Sequence, residues 1–497
     1  MLLAGPTALA FFSGGYFDGP RAWAGLLAWL AVVVGVLAGA PLLPRYRGSR
    51  LALAGLAGLA AWTLLSMLWA PVVGTAYHAG EIAMLYLGTL LAATMLLRGE
   101  ATQRLVEPAL AAGALIVIGY GLSERLLPGV LHFARSVSAE GRLEQPLTYW
   151  NAMGELAALG FVLSARVAGD AVRPAGLRAA AAAACAPLGM GLYISFSRGA
   201  LFAAGAGMIS LILLAPRREQ LTAAALAIGA GALAAVAAAP WHGVTGLAGS
   251  LATRERQGAI TLALLVVIAL AAAGVALLLA RRDWATGAVS LPRGVPWIAG
   301  GLICAGLAIA IVLGSKETSA ASQPLPGGAT RLVTLQSNRY DYWGVALRAF
   351  AHSPVHGVGA GGWSVYWLRW RTVNEYAQDA HSLELQTLAE LGVVGAALLL
   401  ACFGGLALAA RRALDSPLTG AGAAGPGKEA AGPGKGAAGP VAGAAGPVAA
   451  LVTYLAHSPL DWDWQMPAVT LVAVVLAGWV LATAELRAPR RSAAPRD

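Results

Sequence analysis

The sequence predicts an all-α polytopic integral membrane protein with about fourteen transmembrane helices, within a range of about 12 to 14. Three observations carry that prediction: apolar runs of span length, a low charge content, and basic residues gathered in alternate connections. Of 497 residues, 58% are hydrophobic and 12% charged, against about 25% charged in an ordinary soluble domain. Mean hydropathy is +0.68. An apolar run of about twenty residues, rising about 1.5 Å per residue, matches the thickness of the hydrocarbon layer. The formal charge of +10 does not indicate a nucleic-acid partner, because the basic residues punctuate apolar runs and form no patch on a soluble face. Cys185, Cys304 and Cys402 fall in apolar stretches at unrelated spacings, so neither a disulfide framework nor a metal knuckle is indicated.

The spans follow in order. Residues 1–314 hold eleven, near 3–16, 22–44, 51–71, 77–97, 104–124, 150–165, 179–197, 199–215, 221–240, 258–280 and 295–314. A twelfth lies near 386–410, and the last two lie near 446–460 and 466–484, ahead of a basic tail that completes 446–497. Gly and Pro inside these runs are tolerated, since neighbouring helices satisfy the freed backbone groups. The first run has no charged segment before it and reads as a retained span, not a cleaved signal.

Lys and Arg resist translocation, so their distribution sets the orientation. With both termini inside, the cytoplasmic segments hold the majority of the basic residues, among them Arg45, Arg47, Arg50, Arg173, Arg217 and Arg412. Two connections are long. Residues 411–445 repeat Ala-Ala-Gly-Pro units without apolar periodicity and read as a flexible cytoplasmic linker. Residues 315–385 form one large external loop, polar at first and then rich in aromatics and arginines. Within it Tyr340, Trp343, Leu347 and Phe350 recur at three- and four-residue steps, as in an amphipathic helix lying in the interface or covering the bundle.

The unusual polar residues fall on the external side. Arg198, in SFSRGA between two apolar runs, is either an interfacial arginine reaching for water or the ligand of an anion. Arg339, in SNRYDYW, pairs with Asp341 or another loop carboxylate, or joins Arg198 in gripping a diphosphate by charge-assisted hydrogen bonds. His381 enters the next span behind Asp379. Its imidazole can take a proton from an acceptor hydroxyl near neutral pH, although a loop histidine alone is more often a surface residue. Glu384 and Glu390 read as helix N-terminal charge or packing groups. His457 and Asp461, in HSPLDWDWQMP, occupy another external turn, where Asp461 can orient a cation or bind sugar hydroxyls.

No zinc-type His/Cys spacing, no G-x-S-x-G elbow and no H-E-x-x-H helix is present, so no metal site and no serine acyl transfer is expected. The run GVGAGG from Gly357 to Gly362 lacks a phosphate-loop ending and reads as a turn. An enzyme on this face needs an activated donor that reaches it without ATP. A lipid-linked diphosphate sugar meets that need, and arginines can stabilise its leaving group without a cofactor.

At these residues the chain resembles the O-antigen ligase and O-antigen polymerase superfamily. The segment RYDYWGVALRAFAHSPVHGVGAGGW followed by AHSLELQTLAELGVVG looks like its signature region, with His381, Ser382, Gly392 and Gly395 meeting the ligase pattern. SRGA at Ser197 to Ala200 resembles the external arginine motif, PLTYWNA around Asn151 an earlier loop motif, and HSPLDWDWQMP the penultimate external turn around Asp461. The resemblance implies an inverting, metal-independent glycosyltransferase in the bacterial cytoplasmic membrane, with its site on the extracytoplasmic face. It implies that Arg198 and Arg339 bind the diphosphate of an undecaprenyl-linked glycan donor and that His381 is the base on the acceptor. Arg142, Asn151 and Asp461 are further substrate-binding candidates. The acceptor is a glycan, a lipid, a wall polymer or a protein.

A transporter or flippase for a polar or lipid-linked substrate is the alternative. It calls for internal repeats and ionisable residues near the midplane, whereas the charge here gathers at one face. A scaffold of an envelope assembly complex is a third reading, one that loss of His381 would leave unaltered.

Overall fold

The computed structural model describes residues 1–281, 337–415 and 443–486, with a few isolated positions between 289 and 332. Every regular element among the described residues is helical. Ten helices there are long and apolar enough to cross a membrane. They are α2 (Asp18–Leu37), α3 (Arg47–Leu65, continued by a 3-10 turn to Leu68), α4 (Val73–Leu96), α5 (Glu100–Leu126), α6 (Trp150–Gly169), α7 (Ala175–Ile194), α9 (Arg218–Ala238), α11 (Leu251–Ala280), α14 (Leu383–Leu414) and α16 (Pro467–Glu485). Two shorter apolar helices, α8 (Arg198–Leu214) and α15 (Ala445–His457), pack against each other. The remaining helices are α1 (Gly5–Ala10), α10 (His242–Thr245), α12 (Arg339–His352) and α13 (Trp363–Trp370).

Helix starts follow local chemistry. Ser197, Ser250 and Ser382 cap α8, α11 and α14 by accepting from the amides of Ala200, Thr253 and Leu385. Pro108 and Pro187 sit inside α5 and α7, as membrane helices allow. Small residues let the helices approach closely. A Cβ at Gly55 would lie 2.4 Å from the Cys402 amide nitrogen, and one at Gly189 would lie 2.3 Å from Gly231 Cα, joining α3 to α14 and α7 to α9. Helices α6 and α16 are the buried centre. Helix α11 is peripheral and turns Val267, Leu270 and Leu278 outward, where lipid would cover them.

Contacts separate the two ends of the bundle. At one end the Arg45 and Tyr46 amides donate to Glu485, Arg412 to the Ala484 carbonyl, and Arg173 to the Arg104 carbonyl. At the other, the Leu383 amide donates to the Ser458 carbonyl, Arg125 to Val244, and the Ala360 amide to Ser66. The first end carries the connections expected to be cytoplasmic.

The structure departs from the sequence reading in two places. The expected first span, 3–16, is only the six-residue α1 and a 3-10 turn at Ser13–Gly15; α1 is about 9 Å long against a layer of about 30 Å. Gly14 and Gly15, at φ of 68° and 77°, end the helix and turn the chain into α2. The amphipathic helix is present as α12, but its packed face is Tyr342, Val345, Ala346 and Ala349, while Leu347 of the expected stripe is exposed. The reason lies in α13, whose stacked Trp363 and Trp367 receive the edge of Tyr342. Most of the expected span at 295–314, most of the start of the 315–385 loop, most of the 411–445 linker, the tail beyond 486 and Cys304 lie outside the described residues.

Candidate active site

The site begins where α6 begins. Tyr149, extended at the N-cap, sends its hydroxyl to Asp461 Oδ1 at 2.6 Å, and the Asn151 amide donates to the Tyr149 oxygen at 2.8 Å. Asp461 is fully buried in the turn between α15 and α16. Its Oδ1 also accepts from the Trp462 amide at 2.9 Å, and its Oδ2 accepts from the Arg339 guanidinium at the start of α12. Three segments distant in sequence therefore meet on one carboxylate. Burial by itself would raise the Asp461 carboxyl; the charge of Arg339 above all, with that of His457, reverses this and holds it below its usual value. Asp341, the neighbouring alternative partner for Arg339, instead accepts from Thr372 at 2.6 Å.

His381 stands on a backbone with φ of 53° just before Ser382, the cap of α14. Its Nδ1 lies 3.0 Å from the Asp379 carbonyl. A carbonyl only accepts, so Nδ1 carries the proton and Nε2 keeps a lone pair. The ring sits between Tyr342, at 5.0 Å, and Trp462, at 6.2 Å. Burial, with the Arg339 charge, pushes its pKa down against the pull of Asp461, so the neutral ring is favoured. Behind it the Asp379 side chain accepts from Gln386 at 3.0 Å and Gln465 at 3.3 Å, and burial lifts its carboxyl to about 6. The Ser458 hydroxyl donates to Glu384 at 2.8 Å, tying the His381 segment to the Asp461 turn.

Arg198 is the first residue of α8 and is half-buried. The next residue fixes its place: a Cβ on Gly199 would lie 2.9 Å from His457 Nε2 and 3.7 Å from Leu460. Arg198 thus enters beside the 457–463 segment that Arg339 reaches through Asp461. Arg142 is set apart. Its guanidinium donates to the carbonyls of Ala139 and Ser138 and lies 3.7 Å over the Trp150 ring, with Trp150 between it and Tyr149.

The sequence reading passed over three residues that the fold brings in. Tyr149 is the hub that joins Asn151 to Asp461. Asp463 accepts from His457, and the Glu155 carboxylate lies 3.9 Å from the same imidazole, all three side chains being buried. Glu155 falls one turn after Asn151 on α6, and a carboxylate inside an apolar span is itself a signal of function. Among the described residues, one group of metal-ligating type, Asp18, His78 and Glu81, lies elsewhere at this end, and Arg21 already supplies its cation.

Fold and site together define a multi-pass helical membrane protein with a polar cluster embedded at one end of the bundle. Residues 243–400 match the family model described as O-antigen ligase. That match bears out the resemblance to the O-antigen ligase and polymerase superfamily, and the matched residues include Arg339, His381, Ser382, Gly392 and Gly395. Arg142, Asn151, Arg198 and Asp461 lie outside the matched stretch. No curated protein matches the chain.

Proposed function

We propose that this protein is a membrane glycosyltransferase of the O-antigen ligase type. It moves a glycan from undecaprenyl diphosphate to an acceptor hydroxyl at the outer face of a bacterial cytoplasmic membrane. One observation carries the reading: an imidazole with Nδ1 committed to a carbonyl and Nε2 left basic stands beside the Arg339–Asp461 pair. Arg198 precedes Gly199, which packs against His457 and Leu460 in the segment that carries Asp461, and this supports its joining the site. The opposite end of the bundle carries the arginine-rich connections, and that end stays in the cytoplasm by the charge rule.

In this mechanism His381 Nε2 takes the proton of the acceptor hydroxyl, whose oxygen attacks the anomeric carbon. The bond from that carbon to the diphosphate breaks, and the bonding pair leaves on the diphosphate. Arg198 and Arg339 receive the developing charge at fixed donors, which is where preorganised electrostatics is most effective. A single displacement inverts the anomeric centre. Asp461 and Tyr149 position Arg339 and do not touch the reacting atoms.

The test is reconstitution of the full chain in vesicles with lipid-linked glycan extracted from the native host. Transfer should require Arg339 and His381. If R339A and H381A proteins that insert normally transfer at the wild-type rate, the reading is overturned. Deletion in the host then defines the acceptor: accumulated single units indicate a polymerase, and long unattached chains a ligase.

A further inference from the structure

A polar cavity of about 250 Å³ lies at the site end of the bundle, enclosed by the end of α5, residues 134–145 and the 246–247 turn. Four charged side chains in its wall, Glu124, Arg125, Arg142 and Glu144, are each at most 5% exposed. All four are held by fixed partners. Arg125 donates to the carbonyls of Val244 at 2.8 Å and Gly141 at 2.7 Å, and Arg142 donates to that of Ala139 at 2.7 Å. Glu124 accepts from the Phe133 amide at 3.3 Å and from Arg135 at 2.8 Å, and Glu144 from the Ser136 amide at 2.8 Å. Arg135 and Glu140 complete the rim.

We infer that this cavity is a glycan subsite, which holds a sugar of the transferred chain set back from the reacting anomeric carbon. The inference rests on the proposed transferase reading and deepens it. Charge excludes the diphosphate as occupant: three arginines face three glutamates, so the wall is balanced, and an acceptor-only polyanion would meet carboxylates. Sugar hydroxyls both donate and accept, and a rigid wall of alternating guanidiniums and carboxylates offers both without reorganisation. Position supports the same occupant. Arg142 lies on Trp150, Trp150 packs 5.0 Å from Tyr149, and Tyr149 holds Asp461, so one aromatic residue separates the cavity from the transfer centre. Arg142 thereby moves from the diphosphate to the sugar chain.

The test uses the full chain in lipid nanodiscs and two probes: glycan released by mild acid from the native host's lipid-linked pool, and undecaprenyl diphosphate without sugar. A134W fills the mouth of the cavity, and R135A removes a rim donor that also pairs with the buried Glu124, so both variants are compared with the wild-type chain at matched folded fraction, read by thermal unfolding. Both should weaken binding of the released glycan by about ten-fold or more, the loss of one to two good polar contacts, and leave binding of undecaprenyl diphosphate intact. Wild-type glycan affinity in both variants, or no saturable binding by the wild-type chain, would overturn the subsite. H381A and R339A assayed alongside separate the two claims. Loss of transfer there with normal glycan binding by A134W and R135A removes the subsite alone, whereas undiminished transfer there removes the transferase reading and leaves the binding result standing.

Discussion

Helices α6 and α15 each run from one buried ion cluster to another, and the two clusters are built differently. At the arginine-rich end Glu107, Arg166, Asp170 and Arg173 interlock: Arg173 bonds both carboxylates, and Arg166 lies 3.5 Å from Asp170 and 3.8 Å from Glu107. Gly446, at the start of α15, is close enough that a Cβ there would meet the Glu107 carboxylate at 2.1 Å. All four acid and guanidinium groups spend their charge on one another. At the other end Arg339 gives one nitrogen to Asp461 and stays 23% exposed, and His381 keeps a lone pair. A cluster that answers its own charges holds helices together; one that keeps a base and leaves part of a guanidinium exposed can act on something else. Substitutions at the two ends should therefore fail in different ways.

The largest effect is expected at His381. H381Q should lower kcat by about 10²- to 10⁴-fold, the usual range for a lost general base, without reducing the yield of folded protein. The pH profile sharpens the assignment. A base works unprotonated, and burial holds the His381 pKa below its ordinary 6.5. The neutral form therefore persists as pH falls to 6.5, and the acid limb of kcat/KM should have its midpoint below that value. A midpoint above 6.5 would mean that another group titrates. Next comes Arg339: R339A should cost about 10²- to 10³-fold in transfer, and D461N a smaller factor in the same direction because it releases Arg339 from its position. If D461N loses folding instead of rate, the contrast between the ends collapses.

At the arginine-rich end the order reverses. E107Q leaves Arg166 and Arg173 with Asp170 alone and should destabilise the protein by about 3 to 5 kcal/mol, as when a buried ion pair is broken. Thermal unfolding in detergent measures the loss, while transfer per folded molecule should stay at the wild-type level. A fall in specific activity at full stability would link this cluster to the site and break the comparison.

Composition carried the membrane class, and apolar runs placed the ends of the long helices within seven residues, the largest misses being 44 against Leu37 and 258 against Leu251. One piece of local chemistry was equally legible: GVGAGG is a turn, with positive φ at Gly357, Gly359 and Gly361. What stayed hidden depends on pairing across the chain. Tyr149 and Asp461 are 312 residues apart, and Arg339 passes over the nearby Asp341 for a partner 122 residues away. Periodicity has no access to such choices, which are set by how α6, α12 and α15 converge. The same limit misdirected the α12 stripe, because either of its two apolar faces satisfies helical spacing and only the α13 tryptophans select between them. Nor could periodicity show that Arg142 donates to the carbonyls of Ala139 and Ser138.

The smallest expected effect tests the joint behind His381. Gly392 interrupts α14 at φ of 65° and ψ of −163°, a conformation open essentially only to glycine. The break lets the chain beyond α12 dock on the helix, where the Val393 amide donates to the Pro354 carbonyl at 2.9 Å and the Gly359 amide to that of Glu390 at 2.8 Å. A Cβ at Gly392 would lie 2.3 Å from the Val355 carbonyl oxygen and 2.7 Å from the Gly357 nitrogen. G392A should therefore cost about 1 to 3 kcal/mol by strain and displaced backbone, read as a lower unfolding midpoint. Because the displaced turn seats the first coils of α14, transfer should fall together with stability, unlike E107Q. A G392A protein of normal stability and normal rate would show that the glycine break is dispensable for positioning His381.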